Sequence, residues 1–278
     1  MKAQDALSAV TRRLTDAGVP DAARDARRLL AHAMRLPPER MTLHLADAMT
    51  AGDIARFEAA IAARANRQPV SQIIGHRAFF GRSFRITQDV LDPRPETETL
   101  VLAALSFDFS KVLDLGTGSG CILLSLLAER ADATGLGTDL SEPALAVAQG
   151  NAHRLGLERR SVFRTGNWFG AVAGQGPFDL IVSNPPYIAE GEMALLSPEV
   201  QHWEPHLALT PGGDGLDAYR VLAKGARDHL VPGGRMLVEV GPTQGQAVAA
   251  LWQGAGLRRV GILPDLDGRD RVVAGFAD

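Results

Sequence analysis

Residues 183–188, which read Ser-Asn-Pro-Pro-Tyr-Ile, carry the strongest chemical signal in the sequence. Pro185 and Pro186 fix the backbone and remove two N–H donors, which leaves carbonyl oxygens without partners inside the loop. Asn184 adds the oxygen of its side-chain amide as a further acceptor. Rigid acceptors beside Tyr187 suit a substrate that carries a planar –NH2 group. A proline-rich turn without chemistry is the alternative, and we favour the substrate site because the stretch follows a strand in a nucleoside-binding sheet.

The evidence for a nucleoside begins with residues 114–121, which read Asp-Leu-Gly-Thr-Gly-Ser-Gly-Cys. Glycines let the backbone turn sharply and approach a ligand closely. The spacing is G-x-G-x-G and not the G-x-G-x-x-G of dinucleotide sites, and no Gly-Lys-Ser/Thr follows it as in a phosphate loop. We predict that this loop binds a cofactor through Gly116, Thr117, Gly118, Ser119 and Gly120.

Two further side chains follow predicted strands. Asp139 comes 23 residues after Gly116, where a carboxylate can accept both ribose hydroxyls of a nucleoside. A helix N-cap is the alternative role for Asp139, and Ser141 could fill that role as well. Trp168 could pack on adenine or belong to the core or its rim. The combination favours a nucleoside ligand.

The elements that must position these residues alternate between strands and helices from Lys111 onwards. This order predicts an α/β fold with a doubly wound, mostly parallel sheet, in which ligands bind at the carboxyl ends of the strands. The strands are predicted over 112–115, 134–138, 161–163, 178–182, 235–240 and 271–274, and the helices over 122–127, 144–155, 219–230 and 246–255.

The first 67 residues predict a small helical bundle. Leu7, Val10 and Leu14 recur at helical spacing, a second helix follows Asp21 as a possible cap, and a third is predicted over 52–65. Aromatic and β-branched residues around glycines in residues 68–92 indicate a hairpin-like linker. No chemical motif lies in this bundle.

Composition limits the class of protein. Of 278 residues, 46% are hydrophobic and 22% are charged, which is ordinary for a globular protein. The single cysteine, Cys121, excludes an internal disulfide and a multi-cysteine zinc site, and we expect it to pack as a small apolar residue. No run is apolar enough to span a bilayer, and the N-terminus lacks the apolar stretch of a signal peptide. We therefore expect a cytoplasmic protein.

Charge is distributed unevenly along the chain. The net charge is −3, yet residues 1–90 hold 14 Lys and Arg against 9 Asp and Glu. A basic N-terminal part on an acidic body indicates two parts with different partners, although two solvated faces would give the same pattern. A net charge of −3 gives no sign of a nucleic-acid binder.

With these motifs together, the sequence resembles the amino-group methyltransferases that use S-adenosyl-L-methionine, and within them the protein-glutamine N5-methyltransferase family. The glutamine branch is indicated by residues 93–98 (Pro-Arg-Pro-Glu-Thr-Glu), 204–205, 208–209, 212–216 and 270–271. The match covers essentially the whole chain. It implies a class I methyltransferase domain with a sheet of the seven-stranded type over 92–278, a β-hairpin linker over 75–91 and a helical substrate-recognition domain over 1–74.

The resemblance also implies roles for the residues. S-adenosyl-L-methionine would be the cofactor, bound by the glycine-rich loop, Asp139, Trp168 and Asn184, with Asp114 adding negative charge nearby. Asn184, Pro185 and Tyr187 would be the catalytic residues, because two fixed acceptors would hold the N–H bonds of a glutamine amide and aim its lone pair at the methyl group. The implied substrate is the Gly-Gly-Gln motif of a peptide-chain release factor, with no metal, no membrane and no direct nucleic-acid contact.

Other functions share parts of this pattern. Methylation of a glutamine in a ribosomal protein is the nearest alternative, since the motif residues hardly separate the two. Adenine-N6 methylation of nucleic acid would use the same acceptors on a flipped base, and the net charge of −3 disfavours it. A nicotinamide-dependent oxidoreductase is disfavoured because Cys121 stands where the third glycine of its loop would be.

Overall fold

A computed structural model describes all residues from Met1 to Asp278. The chain forms two compact units. Met1–His76 and Ser197–Trp203 make up the first, which we call the helical unit. Arg77–Leu196 and Glu204–Asp278 make up the second, the sheet unit. A short segment from late in the sequence therefore belongs to the N-terminal unit.

The regular elements are numbered here in chain order. The α-helices are α1 (Ala3–Asp16), α2 (Ala22–Ala33), α3 (Ala51–Ala65), α4 (Val70–Ile74), α5 (Glu98–Leu105), α6 (Cys121–Glu129), α7 (Glu142–Leu155), α8 (Pro198–Trp203), α9 (His206–Leu209), α10 (Asp217–His229) and α11 (Gly245–Gly254). The strands are β1 (His76–Phe79), β2 (Arg82–Arg85), β3 (Lys111–Leu115), β4 (Thr134–Asp139), β5 (Ser161–Thr165), β6 (Phe178–Ser183), β7 (Leu230–Glu239), β8 (Arg258–Pro264) and β9 (Asp270–Phe276). No helix is long and apolar enough to cross a membrane.

The helical unit has its own apolar core. The predicted helices α1 to α3 are present, and their inward faces bury Leu14, Leu29 and Phe57 completely or nearly so. Helix α3 begins with a capping box in which Thr50 accepts from the Asp53 backbone. Asp21 was predicted to cap α2, but its side chain makes no capping hydrogen bond and instead faces Arg24 at 3.9 Å.

An ion-pair cluster lies inside the helical unit. Arg64, on α3, is only 5% exposed. Its guanidinium donates to Asp25 on α2 at 2.7 Å and to Glu199 on α8 at 2.9 Å. Arg67 donates to the other oxygen of Glu199 at 2.7 Å. Each buried charge is thus paired, as burial requires, and α8 is fixed to the helical unit.

The sheet unit contains seven strands in the order β5-β4-β3-β6-β7-β9-β8. Strand β9 runs antiparallel to both of its neighbours and the other neighbouring pairs are parallel. The predicted doubly wound, mostly parallel α/β sheet is confirmed. Leu115 pairs with Thr138 on one side and with Ser183 on the other. The carboxyl ends of β3, β4 and β6 therefore meet at one edge of the sheet.

Apolar layers cover both faces of this sheet. One layer includes residues of α5, α6 and α7, and the other includes residues of α10 and α11.

Sequence analysis missed α5 and β8. It also extended a helix to Leu230, where the structure ends α10 at His229 and already begins β7, ahead of the Pro-Gly-Gly turn. The hairpin β1–β2 carries Phe79 and Phe84 edge to face at 6.1 Å between ring centroids.

Candidate functional site

The glycine-rich loop follows β3 and turns back against the end of β4. Gly116, Gly118 and Gly120 have φ angles of +72°, +54° and +78°, which L side chains rarely adopt. The backbone N–H groups of Gly116 and Thr117 donate to the Thr138 carbonyl at 2.8 and 2.9 Å. These hydrogen bonds hold the loop against the end of β4, and its role in binding a cofactor stays a prediction.

Asp139 ends β4 and holds the loop in place. One carboxylate oxygen accepts from the Gly118 backbone at 2.9 Å and the other accepts from the Ser141 backbone at 2.9 Å. The N-cap of α7 is Ser141, whose hydroxyl accepts from Ala144. The carboxylate of Asp139 is therefore not the helix cap, and it is half-buried at the cavity wall.

Asp114 lies behind the glycine loop and does not line the cavity, so its placement near the cofactor stays a prediction. It is fully buried and accepts a hydrogen bond of 2.6 Å from the Thr117 hydroxyl. Burial raises the pKa of this carboxyl to about 7. Its role is to support the glycine loop from beneath. Burial also raises the pKa of the Cys121 thiol to about 12, which keeps it neutral.

A cavity of about 320 Å³ opens at this edge of the sheet. Its size lies in the range of small-molecule sites. The predicted residues in its wall are Gly116, Thr117, Gly118, Ser119, Asp139, Trp168, Asn184 and Pro186. Leu140, Leu207 and Val221, which are 53%, 52% and 43% exposed, also line it and offer apolar surface to a ligand.

Trp168 packs at the rim of the core and also lines the cavity, so its packing on adenine stays a prediction. The residue has a φ of +48°, lies partly buried against the core layer of α10 and α11, and faces the cavity. Its ring approaches within 3.8 Å of the point where a Cβ on Gly116 would lie. A side chain at 116 would therefore stand between the loop and the indole.

The Asn-Pro-Pro-Tyr stretch follows β6. Ser183 anchors its start by donating to the Leu115 carbonyl at 2.6 Å. The Asn184 amide nitrogen donates to the Thr97 hydroxyl oxygen at 3.4 Å. The Asn184 Oδ1 atom and the Pro185 carbonyl accept no hydrogen bond from the chain. These are the two acceptors that the sequence predicts to be available.

Three predicted site residues lie outside the cavity wall, namely Gly120, Pro185 and Tyr187. Gly120 is packed instead, because a Cβ there would lie 3.0 Å from Leu124. Pro185 is buried. The Tyr187 ring packs against the core layer of α10 and α11, its carbonyl accepts from the Gln244 amide at 2.8 Å, and burial raises the pKa of its hydroxyl to about 12.

Residues 93–98 contribute more to the site than their sequence position indicated. Arg94 and Thr97 line the cavity. One guanidinium nitrogen of Arg94 lies 2.7 Å from both carboxylate oxygens of Glu204, and burial raises the pKa of Glu204 to about 7. Glu98 accepts from the Phe80 backbone at 2.8 Å and ties the hairpin to α5. The Pro-Arg-Pro-Glu-Thr-Glu motif indicated the family in the sequence analysis, but the sequence could not show that Arg94 and Thr97 lie in the cavity wall.

Comparisons with known proteins agree with this architecture. The model of the PrmC N-terminal domain matches residues 5–75, and the model of the methyltransferase small domain matches residues 91–213. A solved methyltransferase from Pyrococcus furiosus matches with a TM-score of 0.54 at 18% identity, over 79% of this chain and 96% of its own. That likeness supports the class I methyltransferase fold.

Full-length relatives are much closer in sequence. A protein of Cereibacter sphaeroides named release factor glutamine methyltransferase is 62% identical over 99% of this chain and 98% of its own length. Its namesake from Rhodospirillum rubrum is 49% identical over 94% of this chain and 81% of its own. On this evidence the chain belongs to the release factor glutamine methyltransferase family.

Proposed function

We propose that this protein transfers a methyl group from S-adenosyl-L-methionine to the side-chain amide nitrogen (N5) of a glutamine in a peptide-chain release factor. The glutamine is that of the Gly-Gly-Gln motif. The observation that carries this proposal is the pair of unused acceptors, Asn184 Oδ1 and the Pro185 carbonyl, next to a cavity with a glycine loop. The names of the relatives support the release factor as substrate.

The cavity residues fit the proposed cofactor. Asp139 offers a carboxylate, the loop 116–119 offers backbone polar groups, and Trp168 and Leu140 offer apolar surface. A nucleoside needs this mixture of a carboxylate for ribose hydroxyls and flat apolar contacts for the base. When bound, the cofactor would supply an electrophilic methyl group whose carbon–sulfur bond breaks as the amide nitrogen attacks.

The chain's own groups would activate the amide by holding it. The nitrogen lone pair of an amide is delocalised into its carbonyl, so the nitrogen is a poor nucleophile. Hydrogen bonds from its two N–H groups to Asn184 Oδ1 and to the Pro185 carbonyl would orient the lone pair and stabilise the positive charge that develops. One N–H proton leaves to water after the transfer.

Tyr187 has two parts in this proposal. Its ring is predicted to pack against the substrate amide. Its carbonyl, held by Gln244 at 2.8 Å, fixes the end of the acceptor loop. The hydroxyl stays neutral because burial raises its pKa to about 12, so it provides no base.

We assign recognition of the protein substrate to the helical unit. Arg12 and Arg40 are exposed and make no ion pair within the chain. Substitution of both by Glu should raise KM for a full-length release factor severalfold while the kcat on a short Gly-Gly-Gln peptide stays unchanged. Arg159→Glu, an exposed arginine of the sheet unit, is the matched control. An unchanged KM for the full-length protein would contradict this assignment.

The activity itself is tested with the full chain and labelled S-adenosyl-L-methionine. Purified release factors, ribosomal proteins and DNA are offered separately, and products are examined by mass spectrometry. We expect one added methyl on the glutamine of the release-factor motif and none when that glutamine is replaced by Ala. Labelling of a ribosomal protein alone or of adenine alone would overturn the substrate assignment.

A further inference from the structure

Arg94 is the one positively charged side chain in the cavity wall. No other arginine and no lysine lines the cavity, whereas three aspartates do, namely Asp89, Asp139 and Asp217. Like charges repel each other, so an anionic group of a ligand finds only one side chain of opposite charge in this wall.

The guanidinium of Arg94 is only partly used within the chain. Its Nη2 atom lies 2.7 Å from both carboxylate oxygens of Glu204. The Nε and Nη1 atoms carry its other N–H groups, and neither makes a hydrogen bond within the chain or is buried. The side chain as a whole is 34% exposed. These N–H groups are therefore open to a ligand in the cavity.

The position of this guanidinium is fixed before a ligand arrives. Pro93 and Pro95 flank Arg94 and hold its backbone extended, with φ −92° and ψ 144°. The Glu204 side chain is only 2% exposed, and a carboxylate buried in this way requires a cation beside it. Because Arg94 is already held, binding a ligand costs little further side-chain entropy.

Arg94 also lies close to the acceptor loop. Its carbonyl accepts from the Thr97 backbone at 3.1 Å, and the Thr97 hydroxyl accepts from the Asn184 amide at 3.4 Å. In S-adenosyl-L-methionine the methyl group and the amino-acid part are attached to the same sulfur atom. A methyl group presented to a substrate at Asn184 therefore requires that the amino-acid part begin near this wall as well.

We propose that Arg94 binds the α-carboxylate in the amino-acid part of S-adenosyl-L-methionine. This inference rests on the proposed function and adds to it a residue that distinguishes the cofactor from nucleosides without a carboxylate. A planar guanidinium is well suited to hold a carboxylate. Glu204 orients this guanidinium and leaves Nε and Nη1 for the ligand.

The test measures binding by calorimetry, with no methyl transfer involved. The two ligands are S-adenosyl-L-homocysteine and its decarboxylated analogue, which lacks only the carboxylate. Arg94→Gln should weaken the binding of S-adenosyl-L-homocysteine about tenfold to hundredfold, the effect of one lost hydrogen bond to a charged group. The Kd of the decarboxylated analogue should change by less than about twofold.

A second variant keeps the test decisive if Arg94→Gln does not fold, because that change leaves Glu204 buried without its cation. The double variant Arg94→Gln with Glu204→Gln replaces both charges by amides, and its Tm checks the fold. It should show the same loss for the ligand with a carboxylate. Arg82→Gln is the matched control, since Arg82 pairs with Glu129 at 2.6 Å in the sheet unit but does not line the cavity.

Either of two results in a folded variant would overturn this assignment. One is an unchanged Kd for S-adenosyl-L-homocysteine, which would place the carboxylate on other groups, such as the backbone N–H groups of the glycine loop. The other is an equal weakening of both ligands, which would make Arg94 a support of the cavity wall only. A wild type that binds S-adenosyl-L-homocysteine but leaves the release-factor glutamine unmethylated would count against the proposed function instead.

Discussion

The glycine loop (residues 116–120) and the acceptor loop (residues 184–187) lie at the same edge of the sheet but are held in different ways. The glycine loop is shaped by its own positive φ angles and by backbone hydrogen bonds to the end of the neighbouring strand. The one carboxylate that supports it from that strand, Asp139, bonds Gly118 across 21 positions in the chain. Its longer-range hydrogen bonds reach residues 21 to 32 positions away, on β4 and, through Asn151, on α7.

The acceptor loop depends on segments far away in the chain. Ser183 bonds Leu115, Asn184 bonds Thr97 and Tyr187 bonds Gln244, at separations of 68, 87 and 57 positions. The loop also lies between β6 and the segment that leads to α8, which belongs to the helical unit. The comparison shows that the glycine loop is held mainly by the neighbouring strand, whereas the acceptor loop takes its geometry from segments far away in the chain.

Asn184→Ala should have the largest effect and should distinguish the role of the acceptor loop from that of the glycine loop. It removes one of two preorganised acceptors at a developing charge, which costs about 10²–10³ in rate. The loss should fall mainly on kcat, with a smaller change in the Kd for S-adenosyl-L-methionine, because Asn184 also lines the cavity. Steady-state kinetics on the release factor, together with calorimetry of the cofactor, measure both.

Asn184→Asp is the finer form of this test. It keeps an acceptor of nearly the same shape and adds a charge, so part of the activity should survive if acceptance is the role. A near-normal kcat in Asn184→Ala would end the two-acceptor mechanism.

Asp139→Ala should produce the opposite pattern. We expect binding of S-adenosyl-L-methionine to weaken by about 1.5–3 kcal/mol, the range for hydrogen bonds to a charged group. Part of this loss comes from the Gly118 backbone, which the carboxylate also holds. Asp132→Ala, an exposed aspartate that does not line the cavity, is the control. A folded Asp139→Ala protein with unchanged affinity would remove Asp139 from the cofactor site.

The sequence predicted those parts of the fold that rest on local pattern. Strand and helix alternation predicted the sheet, which is confirmed. The glycine loop could be recognised because glycine is needed wherever φ is positive. The rule that ligands bind at the carboxyl ends of strands placed the loops after β3 and β6 at one edge of the sheet, but the order of the strands was not predicted.

What the sequence did not predict depends on tertiary contacts. Helix α5 was missed because apolar residues occur on all sides of it, including the exposed Leu102, so its sequence gives no clear amphipathic period. Thr97 and Asn184 lie 87 positions apart in the sequence, and only the tertiary fold brings their side chains together. Likewise, nothing in residues 197–203 indicates that Glu199 pairs with Arg64 in the helical unit.

Gln244→Leu should affect the acceptor loop modestly and leave the glycine loop unchanged. It removes the hydrogen bond that holds the Tyr187 carbonyl and the one that accepts from the Gly241 backbone. Loss of about 1 kcal/mol of positioning corresponds to a fall in kcat of about fivefold. Gln246→Leu, on the exposed side of α11, is the control. If the cofactor Kd changed by the same factor as kcat, the two loops would not have the separate roles in cofactor binding and catalysis that we expect.

The smallest expected effect concerns the carboxylate behind the glycine loop. Behind the glycine loop, the Thr117 hydroxyl donates to the buried carboxyl of Asp114. Burial raises the pKa of Asp114 from 3.8 to about 7. Between these values the folded protein binds more protons than the unfolded chain, so this carboxyl lowers the free energy of unfolding as the pH rises through that window.

Asp114→Asn removes this titration and keeps an acceptor for Thr117. From pH 5 to pH 7.5 the variant should therefore lose less stability than the wild type in urea unfolding, although Glu204 and Glu239, whose pKa values burial also raises to about 7, leave part of the slope. Because Asp114 is fully buried and does not line the cavity, its cofactor Kd should change little. Equal slopes for the two proteins would show that Asp114 is already ionised at pH 5, and that the glycine loop rests on a charge.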